Sequence, residues 1–239
     1  MRQVRLTRPG WKQALSKELA PLAAIGALAG AAFAFLSIAG EMSEGETRAL
    51  DRAVLVALRD PSNLSRPIGP EWLKLMAIDL TALGSLACLG LIVLIVAGLF
   101  VSLRRFREAA ILVASAGGGL MLSQLLKAVF GRARPDAVFQ AVPAINASFP
   151  SGHATLSAVV FLTLGSMVAR FATRRRVKLY ALASAILLTL IVGVSRVYLG
   201  VHWPTDVLAG WSLGAAWAIA CWLIEWTFDR WRREPAGED

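Results

Sequence analysis

The sequence is poor in the residues that soluble domains place on their surfaces. Only 17% of its 239 residues are charged, 56% are hydrophobic, and it contains only two histidines and two cysteines. Soluble domains carry about 25% charged residues, so this composition excludes an ordinary soluble domain and indicates a protein of the bilayer. Neither Cys88 nor Cys221 has a Cys-x-x-Cys or Cys/His spacing, which excludes the usual metal and redox motifs.

The net charge of +9 raises the question of nucleic-acid binding. The basic residues, however, fall in short clusters between long apolar runs rather than along one polar face. Anionic lipid headgroups explain such clusters better, so we expect a membrane partner and no nucleic acid.

Long apolar stretches dominate the chain. A helix needs about 20 residues to cross the hydrocarbon core, and a backbone without strand-like alternation must cross as helix. The stretches lie near residues 19–40, 75–103, 109–129, 154–172, 179–199 and 207–229. No repeat of 20 to 50 residues recurs. The sequence therefore predicts an all-α, polytopic bundle of six transmembrane helices that forms one domain over residues 1–239.

The positions of lysine and arginine set the predicted orientation, because these residues concentrate in cytoplasmic loops. With six crossings and an uncleaved first helix, all the basic clusters share one side, and both termini are predicted to be cytoplasmic. The external segment, about residues 41–71, shows helical spacing of Leu50, Val54 and Leu58, which predicts an amphipathic helix that serves as a lid or a linker. Asp79 lies in the second span, either beside the site or at interfacial water.

Two finer contacts are also predicted. The pairs Gly26/Gly30 and Gly210/Gly214 have the spacing that lets helices approach closely, and we expect both to pack within the bundle. Asp136 follows an Arg-Pro pair and is expected to form an ion pair with Arg132.

Three polar islands interrupt the apolar pattern, and all lie at helix ends on the predicted outer side. The first runs from Lys127 to Pro135, the second from Pro150 to His153, and the third from Ser195 to Asp206. Ionisable groups at membrane depth usually mark a functional site, and clustered cations need an anionic partner. The guanidinium groups of Arg134 and Arg196 suit phosphate oxygens, and Lys127 adds a point charge.

The second and third islands add helix starts and both histidines of the chain, His153 and His202. Helix N-termini favour anions, Ser151 is a natural N-cap, and Gly152 allows close backbone approach. Asp206 follows His202 by one helical turn, so its carboxylate can reach the imidazole. A nucleophile, an orienting carboxylate and a separate acid are the parts of covalent catalysis.

These islands resemble the signature of the type 2 phosphatidic acid phosphatase family, which vanadium haloperoxidases and bacterial acid phosphatases share. The three motifs are Lys-x6-Arg-Pro at 127–135, Pro-Ser-Gly-His at 150–153 and Ser-Arg-x5-His-x3-Asp at 195–206. The resemblance covers residues 127–206 by motif, and the six-helix topology extends it across most of the chain. Three motifs in order with correct spacing form a specific signal.

The resemblance implies a metal-independent reaction without a cofactor. In it His202 attacks phosphorus and becomes a phosphohistidine, Asp206 orients His202, and His153 protonates the leaving oxygen. The groups implied to bind phosphate are Lys127, Arg134, Ser151, Gly152 and Arg196.

The resemblance leaves the substrate open among undecaprenyl diphosphate, phosphatidylglycerophosphate, phosphatidic acid and lipid A phosphates. The compact layout favours an undecaprenyl or related diphosphate, in a bacterial inner membrane with the site facing outward. The alternatives are a lipid-phosphate binding or transport protein without turnover and a vanadate-dependent haloperoxidase. Oligomeric state is not predicted.

Overall fold

A computed structural model describes residues 11–232, with side chains described from residue 19 onward. It contains eight α-helices in these residues and one short hairpin. The helices are α1 Trp11–Glu44, α2 Arg48–Ala57, α3 Glu71–Ala82, α4 Leu86–Ser102, α5 Phe106–Phe130, α6 Gly152–Phe171, α7 Arg175–Tyr198 and α8 Pro204–Trp231. The strands β1 Arg59–Asp60 and β2 Asn63–Pro67 pair antiparallel, and Ala137–Phe139 form a 3-10 turn.

The helices confirm the predicted membrane bundle. Within the described residues, α1, α5, α6, α7 and α8 are each long and apolar enough to span a bilayer. The predicted second span is instead two helices, α3 and α4, bent by 46° and together long enough for a sixth crossing. The bend lies at Gly84, where a Cβ atom would come within 2.3 Å of Val192 Cγ1. Ser85 then caps α4 by accepting a hydrogen bond from Cys88 N.

Helix α6 forms the centre of the bundle, and 56% of its most apolar stretch is buried. Small residues on α8 let it approach α6 closely. A Cβ on Gly210 would lie 2.8 Å from Ser151 O, and one on Gly214 would lie 2.6 Å from Ala158 Cβ. The prediction that this glycine pair packs within the bundle is therefore confirmed.

The prediction for Gly26 and Gly30 was wrong. Both are exposed on α1, and a Cβ on either would meet nothing within 4 Å among the described atoms. Helix α1 packs through a different face, on which Phe35 and Ala39 meet Phe149. Phe35 and Phe149 stack there, with their ring centroids 6.0 Å apart.

The external segment contains the predicted helix, but a different face is buried. Leu50 is exposed, whereas Asp51 and Leu55 of α2 are fully enclosed. A hydrophobic pattern cannot predict a buried aspartate, because its burial depends on a cationic partner elsewhere in the chain. The rest of the segment forms the β1–β2 hairpin rather than a longer helix.

The end of the bundle opposite the polar islands has its own ionic network. Arg170 on α6 pairs with Glu225 and, through Nη2 at 2.6 Å, with Asp229 on α8, while Arg107 on α5 also pairs with Asp229. These pairs join three spanning helices at the end of the bundle opposite the polar islands.

Candidate active site

The three polar islands meet at one end of the bundle, hereafter the site end. Helices α5 and α7 end there, and helices α6 and α8 begin there, so their polar termini converge. His153 interacts electrostatically with Arg196, His202, Arg134 and Lys127. The structure thus brings together the residues that the sequence singled out.

His202 lies in the turn between α7 and α8 and is 1% exposed. Its Nδ1 is 3.4 Å from Asp206 Oδ2, and its Nε2 is 3.1 Å from Arg134 Nη1. With a proton on Nδ1 facing the carboxylate, Nε2 carries the lone pair that accepts from Arg134. This tautomer leaves Nε2 as the nucleophilic atom.

The surroundings of His202 favour its neutral form. Burial lowers the pKa of His202 to about 3; Asp206 opposes this effect, while Arg196 and Arg134 add to it. Because burial disfavours the charged imidazolium, the ring is unprotonated at physiological pH. A histidine that attacks phosphorus needs that state.

The Asp206 carboxylate is fully buried, and both its oxygens are occupied. Oδ2 accepts hydrogen bonds from Trp203 N at 2.9 Å and from Ser148 Oγ, and it faces His202 Nδ1. Oδ1 accepts from Arg132 Nη1 at 2.6 Å. The carboxylate is therefore fixed in orientation before any substrate binds.

Arg132 joins Asp206 to a second buried carboxylate on the external segment. Its Nη2 lies 2.6 Å from Asp51 Oδ2 of α2. Asp51 in turn accepts from Thr205 N at 3.0 Å and from Thr205 Oγ1 at 2.7 Å, so it satisfies an amide at the start of α8. Helix α2 is thereby tied to the helix that carries Asp206.

The predicted ion pair between Asp136 and Arg132 was wrong. Asp136 is exposed, whereas Arg132 turns inward to two carboxylates that burial leaves in need of a cation. Sequence reasoning missed Asp51 because it lies 81 positions from Arg132. It also missed Ser148, whose only signal was its position two residues before the second motif.

The cations predicted to bind phosphate lie close enough to His153 to interact with it electrostatically. Lys127 Nζ donates to Ala147 O at 2.7 Å, and a Cβ on Gly152 would lie 3.6 Å from Lys127 Cε. The hydroxyl of Ser151 caps α6 at a long 3.5 Å from Ala154 N. Lys127 and the first turn of α6 therefore face each other across a short gap.

Two buried polar atoms near this gap have no partner among the described residues: Arg196 Nε and Ser123 Oγ. Arg196 is 7% exposed and donates from Nη1 to Thr81 Oγ1 at 3.3 Å. Ser123 lies one helical turn before Lys127 on α5. Buried donors without partners are costly, and an anion would satisfy both.

His153, the residue predicted to protonate the leaving group, packs at the break between α3 and α4. A Cβ on Gly84 would lie 3.4 Å from both His153 Cβ and Cδ2. By contrast, Asp79 of α3 is exposed, and it is Thr81 of that helix that reaches the site.

The turn that carries His202 requires glycine at position 200. Gly200 has φ +71°, and a Cβ there would lie 2.0 Å from Phe139 O. The buried Arg59 of β1 donates to Tyr198 O at 2.8 Å and so holds the end of α7. The hairpin thus supports the turn from outside the bundle.

No three side chains among His, Cys, Asp and Glu come together as potential metal ligands in the part of the chain with described side chains. The site is instead built from guanidinium, ammonium, imidazole and hydroxyl groups around one aspartate.

Comparison with known proteins gives consistent matches. The PAP2 superfamily profile matches residues 108–230. Phosphatidylglycerophosphatase B of Bacillus subtilis is 33% identical over 75% of this chain and 85% of its own length. The crystal structure of a transmembrane PAP2-type phosphatidylglycerolphosphate phosphatase from Bacillus subtilis aligns with a TM-score of 0.73 and 27% identity over 87% of this chain and 98% of that one.

Other relatives match over shorter lengths. Undecaprenyl-diphosphatase of Sulfolobus acidocaldarius is 32% identical over 50% of this chain and 57% of its own length. Lipid A 1-phosphatase of Rhizobium johnstonii is 38% identical over 44% of this chain and 42% of its own length.

Proposed function

We propose that this chain, which belongs to the PAP2 superfamily, is a membrane phosphatase that hydrolyses a lipid phosphate through a phosphohistidine at His202. The observation that carries the proposal is the geometry of that ring. Its Nδ1 faces a fixed carboxylate, and its Nε2 faces the cationic pocket that also holds His153. A purely phosphate-binding protein needs the cations but does not need an oriented nucleophile.

In the first step, the Nε2 lone pair of His202 forms a bond to phosphorus as the bond from phosphorus to the lipid oxygen breaks. His153 gives its proton to that oxygen, which leaves as an alcohol or as a lipid phosphate. Asp206 stabilises the positive charge that develops on the His202 ring. The electron pair of the broken bond and the proton from His153 both leave with the lipid oxygen.

In the second step, water attacks the phosphohistidine, and His153 accepts its proton. The bond from phosphorus to Nε2 breaks, and inorganic phosphate is released. Lys127, Arg134, Arg196, Ser151 and the Gly152 amide stabilise the charge on the equatorial oxygens in both steps, and Ser123 adds a hydroxyl.

We further propose that the reaction needs no metal ion. The support is the donor set: cations already surround the phosphate position, and a divalent ion would have to compete with them for the same oxygens. Activity is therefore expected to persist in EDTA.

The layout of the chain and the names of its relatives both bear on the choice of lipid. The compact layout favours undecaprenyl diphosphate, and one partial-length relative carries the name undecaprenyl-diphosphatase. The relative that matches over most of its length is named for phosphatidylglycerophosphate, and so is the structural neighbour. Phosphatidylglycerophosphate is accordingly the first substrate to test.

The orientation of the site is also part of the proposal. Because lysine and arginine clusters mark the cytoplasmic ends of the spans, the site faces the outside of the inner membrane.

The test is phosphate release from a panel of purified lipids by the detergent-solubilised chain, with EDTA present. Phosphatidylglycerophosphate, undecaprenyl diphosphate, phosphatidic acid and a lipid A 1-phosphate would be compared at equal surface concentration. We expect hydrolysis of at least one with a clear preference. Binding of all four without turnover would instead support a lipid-phosphate carrier.

Replacing His153 by asparagine is expected to slow lipid hydrolysis by about 10²-fold, because an alkoxide or lipid phosphate then leaves without a proton. A nitrophenyl phosphate, whose leaving group needs no proton, should lose less than about tenfold in the same variant. The two substrates would be compared by the single-turnover rate constant for release of the leaving group, which excludes the second step, in which His153 also acts. Equal losses on both would contradict the acid role of His153.

The pH dependence follows from the lowered pKa of His202. The neutral, nucleophilic form persists down to about pH 3, so the acidic limb of kcat/KM should lie well below pH 5. Once the lipid phosphate is bound, its negative charge favours protonated His153, and the rate should fall as rising pH removes the proton that His153 donates. The profile must be corrected for the second ionisation of the lipid phosphate, measured separately by phosphorus NMR. An acidic limb that remains near pH 6.5 after correction would contradict the buried, neutral state of His202.

A further inference from the structure

A cavity opens beside the candidate active site, between α1, α2, the loop after α5 and the start of α8. It has a volume of about 620 Å³, and neither histidine lines it. We call it the vestibule and define it by its charged residues. They are Arg48, Asp51, Arg52, Arg132, Arg134 and Asp136.

The charges of the vestibule do not balance. Four arginines face two aspartates, and Arg132 is already shared between Asp51 and Asp206. Arg48 and Arg52 lie one turn apart on exposed positions of α2, and neither forms an ion pair with any described side chain. The cavity therefore has two arginines available to an anion.

Arg134 connects the vestibule to the chemistry. It lines the cavity and also donates from Nη1 to His202 Nε2. Trp203, the residue after His202, lines the cavity as well. In an in-line displacement the leaving lipid lies across phosphorus from His202, on the side of His153 and the break at Gly84. The vestibule instead adjoins His202, through Arg134 and Trp203.

We propose that the vestibule is an anion-binding site for a second phosphate group, held mainly by Arg48 and Arg52. Its main occupant is inorganic phosphate on its way from His202 to water. The headgroup of a neighbouring anionic lipid presents the same chemistry. This inference rests on the proposed phosphatase activity for the origin of the phosphate, but binding itself can be measured without turnover.

The test is equilibrium dialysis of the purified full chain in a zwitterionic detergent against radiolabelled inorganic phosphate. The wild type is expected to bind about two phosphates per chain, one in each site. The double variant Arg48→Gln/Arg52→Gln should bind one, or bind the second at least fivefold more weakly. Both positions are exposed, so an unchanged unfolding temperature is expected and would show that the variant folds.

The matched control is Arg66→Gln/Lys74→Gln, which removes two charges from the same end of the bundle outside the cavity. Arg66 is exposed on β2, and Lys74 pairs with Glu71 on α3. This control should keep the wild-type stoichiometry. An equal loss in both double variants would mean that general surface charge attracts phosphate, and would overturn the site.

A second arm distinguishes the two sources of phosphate. The same proteins would be assayed in phosphatidylcholine nanodiscs with and without phosphatidylglycerol. If lipid headgroups occupy the vestibule, phosphatidylglycerol should change kcat/KM for the wild type and the control but not for Arg48→Gln/Arg52→Gln. If Arg48→Gln/Arg52→Gln loses either the second bound phosphate or the response to phosphatidylglycerol, the site is supported and its occupant identified. If this variant behaves like the wild type in both experiments, the proposal is overturned. If the wild-type chain hydrolyses no lipid but Arg48→Gln/Arg52→Gln still binds one phosphate fewer, only the proposed function is contradicted.

Discussion

Replacing His202 by alanine is expected to lower kcat/KM for lipid hydrolysis by about 10⁴-fold or more, because no covalent intermediate can form. The ring is 1% exposed, so the variant also leaves a small cavity beside Asp206. Initial rates with the preferred lipid, measured against the wild type at matched protein purity, test this result.

Two controls separate lost chemistry from lost structure. Arg66→Gln changes an exposed charge at the same end of the bundle and should retain full activity. His202→Ala should still bind the lipid phosphate, since Lys127, Arg134 and Arg196 are intact. Activity of the alanine variant within tenfold of the wild type would exclude His202 as the nucleophile.

Replacing Arg132 by methionine is expected to destabilise the protein by about 3–5 kcal/mol, the usual cost of removing one partner from a buried ion pair. Asp51 and Asp206 are 1% and 0% exposed, and each would lose its cation. Because both ends of the Arg132 guanidinium are held by these carboxylates, it is not expected to bind the substrate phosphate. KM should therefore change little while kcat falls by about 10²-fold, as misplaced catalytic groups typically cause.

The pH profile distinguishes a positioning role from simple destabilisation. Without Arg132, the charge of Asp206 acts on His202 alone and raises its pKa, so the acidic limb of kcat/KM should move to higher pH. The double variant Asp51→Asn/Arg132→Met should recover part of the stability, since one buried charge is gone. A fall in folded protein with an unchanged pH profile would show that the Asp51–Arg132–Asp206 chain is only structural.

Much of the fold could be predicted because it depends on the contrast between apolar and polar stretches along the chain. Apolar stretches of about 20 residues mark spans, and the polar islands from Lys127 to Asp206 are conspicuous between them. The convergence of His153 and His202 followed from the predicted topology, which puts all three polar islands at helix ends on one side of the membrane. The break at Gly84 could not be predicted, because a straight span and a bent span have the same apolar sequence pattern.

What the sequence missed depends on contacts between distant segments. Asp51 is a buried partner of Arg132 only because α2 folds back over the site end, and its local pattern suggests an exposed charge. Ser123 and Ser148 are common hydroxyl residues whose roles arise from burial. The exposure of Gly26 and Gly30 shows that a small-residue spacing permits helix packing but does not require it.

Trapping the covalent intermediate tests the role of His202 most directly. Wild-type enzyme would be mixed with lipid carrying radiolabelled phosphate, quenched in alkali within milliseconds, digested and sequenced by mass spectrometry. We expect an acid-labile, alkali-stable phosphate on His202 that forms and decays at rates consistent with turnover. Label on His153, or turnover with no label on either histidine, would contradict the proposed mechanism.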